Sequence, residues 1–161
     1  MKDSIKKGMS FGITSGIITT LGVMIGLNSI TGLKLAVMGG ILTVAIADAF
    51  SDALGIHNSE ESLKRNTRKS IWIATVSTFF SKLIIAMSFL IPVLLFPLAT
   101  AIKINLIWGF SLLGIFGYIV AKIRKENPIK SIFTHIIIAM AVIIITHYTG
   151  TIIGDYFLKI G

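Results

Sequence analysis

Two aspartates, Asp48 and Asp52, lie one helical turn apart inside a long apolar stretch of the sequence. Residues four apart on an α-helix share a face, so both carboxylates point the same way. An aspartate at the centre of a membrane span is unfavourable by about 2.5–3.5 kcal/mol on insertion scales. Carboxylates in such a place normally face a cavity, pair with a cation, or carry ions or protons. We therefore interpret this pair as a candidate cation or proton site.

A lysine in another predicted span offers a structural alternative. Measured along their helices from the same side of the membrane, Asp48 lies roughly 13 Å deep and Lys82 roughly 18 Å deep, at 1.5 Å per residue. That difference is within reach of a lysine side chain. Lys82 therefore either holds Asp48 in a permanent ion pair, or releases the carboxylate when a metal ion or a proton arrives.

Two methionines and two glutamates are further candidate metal ligands along a path through the membrane. Met24 and Met38 carry thioethers, which are soft metal ligands, although methionine in membrane helices is usually apolar filler. Glu60 and Glu61 stand at the predicted cytoplasmic mouth, where they would gather cations. Their alternative role is to solubilise and cap the start of a helix.

A histidine in the last predicted span suggests a proton route. His147 is followed by Thr151 one turn on and Asp155 two turns on. Histidine is the side chain that changes charge near neutral pH, so His147 is a candidate for proton exit. The alternative is a packing histidine bonded to a neighbouring hydroxyl group.

Composition indicates that membrane helices position all of these residues. Hydrophobic residues make up 54% of the 161-residue chain and charged residues 14%, against about 25% charged in soluble domains. Five apolar runs are long enough to span, at about 20 residues each. We expect one all-α integral membrane domain over residues 1–161, with spans near 9–30, 33–56, 70–96, 98–122 and 131–158 and a short cytoplasmic loop at 57–69.

The distribution of basic residues orients these spans. Five spans place eleven of the 15 basic residues on one side and three on the other, with Lys82 inside a span. The positive-inside rule then predicts a cytoplasmic N-terminus and an outer C-terminus, in a multi-pass protein of the cell membrane. The same rule explains the net charge of +8 without nucleic acid. No nucleophile–base pattern or phosphate-binding loop is present, so we expect neither an enzyme nor a bound cofactor.

Two motifs resemble the vacuolar iron transporter family. Residues 15–23, Ser-Gly-Ile-Ile-Thr-Thr-Leu-Gly-Val, are similar to the family's Asp-Gly-Ile-Val-Thr-Thr-Phe-Gly-Val. Residues 47–55, Ala-Asp-Ala-Phe-Ser-Asp-Ala-Leu-Gly, are similar to its Ala-Asp-Ala-Phe-Ser-Met-Gly-Leu-Gly. The resemblance implies a homodimeric five-span carrier that moves Fe²⁺, and often Mn²⁺, out of the cytosol in exchange for protons.

The sequence departs from this family at three path positions. Ser15 replaces the family's aspartate, Asp52 its methionine and Ile56 its glutamate, so Asp48 is the one acidic path residue carried over directly. A carboxylate in place of a thioether hardens the site, which favours Mn²⁺, Mg²⁺ or Ca²⁺ over Fe²⁺. In a two-fold dimer, two copies of Asp48 and Asp52 would supply four carboxylates.

These observations favour a proton-coupled divalent cation transporter that works as a homodimer in the lipid bilayer. Asp48 is the expected central ligand and Asp52 an auxiliary one, with Ser15 and Thr19 as neutral oxygen donors on one face of the first span. The main alternative is a non-transporting scaffold or regulator whose acidic site is neutralised by Lys82. An organic-solute carrier would require a roomy central cavity, which five short spans hardly provide.

Overall fold

A computed structural model describes residues 2–64 and 66–157, and nearly all of them are helical. The helices are α1 (Lys2–Thr31), α2 (Lys34–Glu61), α3 (Arg68–Ser88), α4 (Leu90–Leu95), α5 (Leu98–Arg124) and α6 (Pro128–Phe157). Five segments are long and apolar enough to span a membrane, and α3 with α4 forms the third of them. The predicted all-helical architecture with five such segments is confirmed.

Successive long segments run in opposite directions, which gives the bundle two different ends. At one end α1, α3 and α6 begin while α2 and α5 finish; we call it the basic end because of residues such as Lys7, Arg68 and Arg124. The opposite end holds the connection between α1 and α2 and the turn at Pro97.

The predicted loop at 57–69 is wrong at both ends, since its first five residues belong to α2 and its last two to α3. α2 continues through His57 to Glu61. The Asn66 side chain stabilises its last turn by donating a hydrogen bond to the Glu60 backbone carbonyl at 2.9 Å. Hydropathy marks where a membrane ends, but a helix extends past that point when its polar residues find partners. For the same reason α1 begins at Lys2 rather than at residue 9, and α6 at Pro128 rather than at 131. Residue 158, the predicted end of the last span, lies outside the described residues.

The third predicted span is not one continuous helix. α3 ends at Ser88 and α4 begins at Leu90, so the helix is interrupted at Phe89. Pro92 has no N–H group to donate to the Ser88 carbonyl, which removes one bond from the helical ladder. The predicted separation at Pro97 is confirmed, since Phe96 adopts an extended conformation between α4 and α5.

Glycines bring α1 close to two other helices. A Cβ atom on Gly12 would lie 2.2 Å from the Ser81 hydroxyl and 2.6 Å from the Thr78 carbonyl, both on α3. Towards the opposite end, a Cβ on Gly150 of α6 would lie 2.6 Å from the Gly26 carbonyl. These small-residue pairs therefore serve packing within the chain, where they let helix backbones approach closely.

Candidate functional site

The ammonium group of Lys82 joins α3 to both neighbouring helices inside the bundle. Its side chain is fully buried, and Nζ lies 2.6 Å from Oδ2 of Asp48 and 2.8 Å from the Ser15 hydroxyl, to which it donates. It also donates to Oδ2 of Asp52. We call Ser15, Asp48, Asp52 and Lys82 the acidic site.

Small residues at the helix contacts make this convergence possible. On α2 the fully buried Ala45 and Ala49 lie on the side turned to the bundle, which places Asp48 and Asp52 at its margin. On α1, a Cβ atom on Gly16 would lie 3.2 Å from the Lys82 carbonyl. The adjoining Ser15 is thereby held beside the lysine side chain.

The Ser15 hydroxyl links the two charged groups directly. It accepts from Lys82 and donates to Oδ2 of Asp52 at 2.6 Å. Thr19, which was expected to offer a hydroxyl oxygen on the same face, donates a hydrogen bond from that hydroxyl to the Ser15 backbone carbonyl at 2.9 Å. Such a bond to the residue four positions back is common for threonine in helices. The Thr19 side chain thus bonds to the backbone of Ser15 and not to a side chain of the acidic site.

The acidic site contains more negative than positive charge. Two carboxylates face one ammonium group, so one negative charge is in excess when both acids are ionised. The burial of the two kinds of group differs as well. The Asp48 and Asp52 side chains are 30% and 19% exposed in the single chain, whereas Lys82 is completely covered. A further cation would therefore meet the carboxylates before the lysine.

The two glutamates expected to gather cations are separated by their surroundings. Glu60 is buried, 3.1 Å from Lys7 Nζ, and also accepts from the Asn66 side chain at 2.9 Å. Glu61 is exposed near His57 and Arg68 at the basic end. Glu60 is therefore engaged in an ion pair, a contact that the sequence analysis missed.

The two methionines lie away from the acidic site. Met24 is fully buried in the apolar core, where its sulfur accepts from the Asn105 amide at 3.2 Å. Met38 packs partly buried against the same core. It lies ten residues before Asp48 on α2, which is about 15 Å along the helix. Neither thioether is placed to share an ion with the carboxylates.

His147 is bonded to a hydroxyl group, which is the alternative that the sequence left open. Its Nδ1 lies 2.8 Å from the Ser29 hydroxyl of α1. His57, at the basic end, makes a similar contact of 3.0 Å with Thr75. Among residues 2–64 and 66–157, no three histidine, aspartate or glutamate side chains form a group that could hold a metal ion within one chain.

No protein-family model matches the chain, and no curated protein matches it. The resemblance to vacuolar iron transporters therefore rests on the two motifs of α1 and α2.

Proposed function

We propose that this protein is a proton-coupled carrier of divalent metal cations, of the vacuolar iron transporter type. The excess negative charge of the acidic site is the observation that supports this function most directly. A net charge within the apolar part of a membrane is unfavourable until a counter-charge reaches it. Lys82 supplies one such charge, and a proton or a metal ion supplies the other.

Each residue of the site has a role in this proposal. Asp48 and Asp52 bind the metal ion, and the Ser15 hydroxyl provides a neutral oxygen. Lys82 is the resident cation that occupies the carboxylates between transport events. A divalent ion displaces Lys82 from at least one of the two carboxylates, because the metal ion and the ammonium group would repel each other at so short a separation. Carboxylates bind metal in their ionised form, so metal entry releases the remaining proton.

The donor set favours a hard ion. Carboxylate and hydroxyl oxygens suit Mn²⁺, Mg²⁺ and Ca²⁺, whereas Fe²⁺ transport in the resembling family uses a methionine at the position of Asp52. The thioethers of Met24 and Met38 lie elsewhere. Mn²⁺ is accordingly the ion with which we would test transport first.

The surface of the bundle supports a proposed membrane orientation and a proposed dimer. The positive-inside rule assigns the basic end to the cytoplasm, with export towards the opposite end. The exposed face of α2 carries a row of small residues four positions apart: Gly39, Thr43, Ala47, Ser51 and Gly55. A Cβ atom on Gly39 or Gly55 would meet nothing within 4 Å, so a second copy has room to approach here. In the proposed dimer, such an approach would bring the carboxylates of the two copies closer, with four in total.

Mn²⁺ flux into proteoliposomes, with a pH gradient imposed and then removed, tests this function. We expect Asp48→Asn and Asp52→Asn each to lower the flux by roughly tenfold or more, since each removes a charged ligand. Asp3→Asn, the same substitution at an exposed position of α1, serves as the matched control. Full Mn²⁺ flux in both site variants would refute the proposal.

A non-transporting scaffold is the second candidate, favoured by the complete burial of Lys82 among its three partners. The two candidates differ in their response to metal. A carrier gains thermal stability with Mn²⁺, and loses that gain in Asp48→Ala. A purified protein that responds to none of Fe²⁺, Mn²⁺ and Ca²⁺ would favour the scaffold.

A further inference from the structure

Two adjoining cavities open at the basic end, away from the acidic site. The first, of about 520 Å³, lies between α1, α2, α5 and α6. The second, of about 560 Å³, lies between the end of α5 and the start of α6. They share Val120, Arg124 and His135, and we call them together the basic cleft.

Positive charge predominates in the basic cleft. Its basic residues are Lys6, Lys7, Arg124 and Lys130, and its acidic residues are Glu60 and Glu126. Both acids are already paired, Glu60 with Lys7 at 3.1 Å and Glu126 with Arg124 Nε at 3.0 Å. Lys6 and Lys130 have no carboxylate partner in the part of the chain that the structure describes. Two positive charges are therefore in excess.

The inner wall of the cleft is apolar. Phe11 of α1 and Phe116 and Ile123 of α5 line the first cavity. Phe11 is 43% exposed and Ile123 56% exposed, so this wall is open to its surroundings. An apolar wall beside several basic groups is suited to an anion that also has an apolar part, rather than to an inorganic anion.

We propose that the basic cleft binds an anionic phospholipid. Its phosphate lies against Arg124, Lys6 and Lys130, and an acyl chain follows Phe11 and Phe116 into the membrane. Arg124 contacts Glu126 through Nε, and its guanidinium group has further N–H donors of the kind that bind phosphate. Basic pockets between membrane helices on the cytoplasmic side are suited to such head groups.

Charge argues against the other occupants. A second copy of the chain would bring two clefts with excess positive charge together, which is unfavourable in a dry interface. Inorganic phosphate would satisfy the basic groups but leave the phenylalanine wall uncovered. This proposal does not rest on the transport function, because the cleft is separate from the carboxylates of the acidic site.

The test measures lipid retained by the full-length protein after purification in a mild detergent. We expect phosphatidylglycerol to be retained and to raise the unfolding temperature, and phosphatidylcholine to do neither. Arg124→Gln with Lys130→Gln should reduce the retained phosphatidylglycerol by roughly tenfold, because each basic residue near an anionic lipid contributes to its affinity. If the double variant folds poorly, the single substitution Lys6→Gln serves as the test instead, and it should also reduce the retained phosphatidylglycerol.

A matched control separates the cleft from surface charge in general. Lys64→Gln with Lys69→Gln removes two exposed positive charges at the same end, outside both cavities. We expect this variant to retain phosphatidylglycerol as the unmodified protein does. Three results would overturn the proposal: equal loss in this control, equal retention of phosphatidylcholine, or an equal rise in unfolding temperature with inorganic phosphate alone. A change of oligomeric state in the cleft variant, without loss of lipid, would overturn it in favour of a second copy.

Discussion

In the part of the chain that the structure describes, two lysines, Lys7 and Lys82, pair with acidic side chains of α2. The lysine is the exposed partner in one case and the buried partner in the other. In the pair at the basic end, the Lys7 side chain is 48% exposed and the Glu60 side chain 9%. In the acidic site the lysine is fully buried, and the two aspartates are the partly exposed groups. The exposed partner is therefore the lysine in the pair at the basic end, and the carboxylates in the acidic site.

The number of charges differs as well. Glu60 has one lysine and an additional donor from Asn66, so that pair is electrically balanced and joins the ends of α1 and α2. Asp48 and Asp52 share a single lysine, which leaves one negative charge uncompensated. A balanced pair with its lysine near water is suited to holding helices together, whereas an unbalanced one at depth is suited to taking up another cation.

Removal of Lys82 is expected to have the largest effect on stability. Lys82→Met leaves two carboxylates without their cation, and breaking a buried pair in this way typically destabilises by about 3–5 kcal/mol. Thermal unfolding in detergent measures the loss. Adding Asp52→Asn to Lys82→Met restores the original net charge and should recover much of the stability. A Lys82→Met protein as stable as the parent would show that the contacts of Lys82 with the two aspartates contribute little to stability.

The packing of α1 against α3 is expected to matter next. Gly12→Ala places a methyl group 2.2 Å from the Ser81 hydroxyl and 2.6 Å from the Thr78 carbonyl, so the two helices must separate. Overpacking of this kind costs about 1–3 kcal/mol, and here it also draws Ser15 away from Lys82. Gly114→Ala on α5 is the control, because its Cβ atom would meet nothing within 4 Å. Equal unfolding temperatures for the two variants would contradict the close packing.

Loss of the Ser15 hydroxyl should have a smaller effect. Ser15→Ala removes one bond from Lys82 and one to Asp52, and hydrogen bonds to charged groups contribute about 1.5–3 kcal/mol each in buried sites. Both charged partners keep their direct contact, so we expect a loss at or below the low end of that range. Ser111→Ala, at an exposed position of α5, is the control for thermal unfolding. A loss as large as that of Lys82→Met would mean that the hydroxyl organises the whole site.

The smallest effect is expected from Lys7. Because Lys7 lies at the surface, water can take the place of its ammonium group beside Glu60. Such a surface pair contributes about 0–1 kcal/mol and is screened by salt. Lys7→Gln should therefore lower the unfolding temperature slightly in dilute buffer and hardly at all at high salt, since Glu60 keeps its bond from Asn66. If Lys7→Gln destabilised as much as Lys82→Met, the distinction between the two contacts would fail.

The sequence predicted the parts of the fold that depend on one helix at a time. Apolar runs located five segments, Pro97 separated two of them, and helical rise placed Lys82 within reach of Asp48. Each of these depends on hydropathy, on the backbone chemistry of proline, or on distance along a helix axis. The break at Phe89 and the extension of α2 to Glu61 depend instead on individual hydrogen bonds, which hydropathy does not report.

Contacts that depend on how helices are rotated against each other could not be predicted in the same way. The meeting of Lys82 with Asp52 and Ser15 is set by the Gly12–Gly16 contact with α3, whose direction the glycine spacing alone does not give. The pairing of Glu60 with Lys7 follows from the unexpected length of α1 and α2. The basic cleft joins residues from α1, α2, α5 and α6 that are far apart in the chain.

The excess charge of the acidic site has an electrical consequence for the proposed carrier. With both carboxylates ionised, the empty site of one chain has a net charge of −1. That net charge becomes zero with one bound proton and +1 with one bound divalent ion. A membrane potential changes the energy of a charge that crosses it by about 2.3 kcal/mol per 100 mV. If each chain carries its own ion, we expect the return of the protonated site to be insensitive to voltage, so that the metal-loaded step carries the voltage dependence of transport.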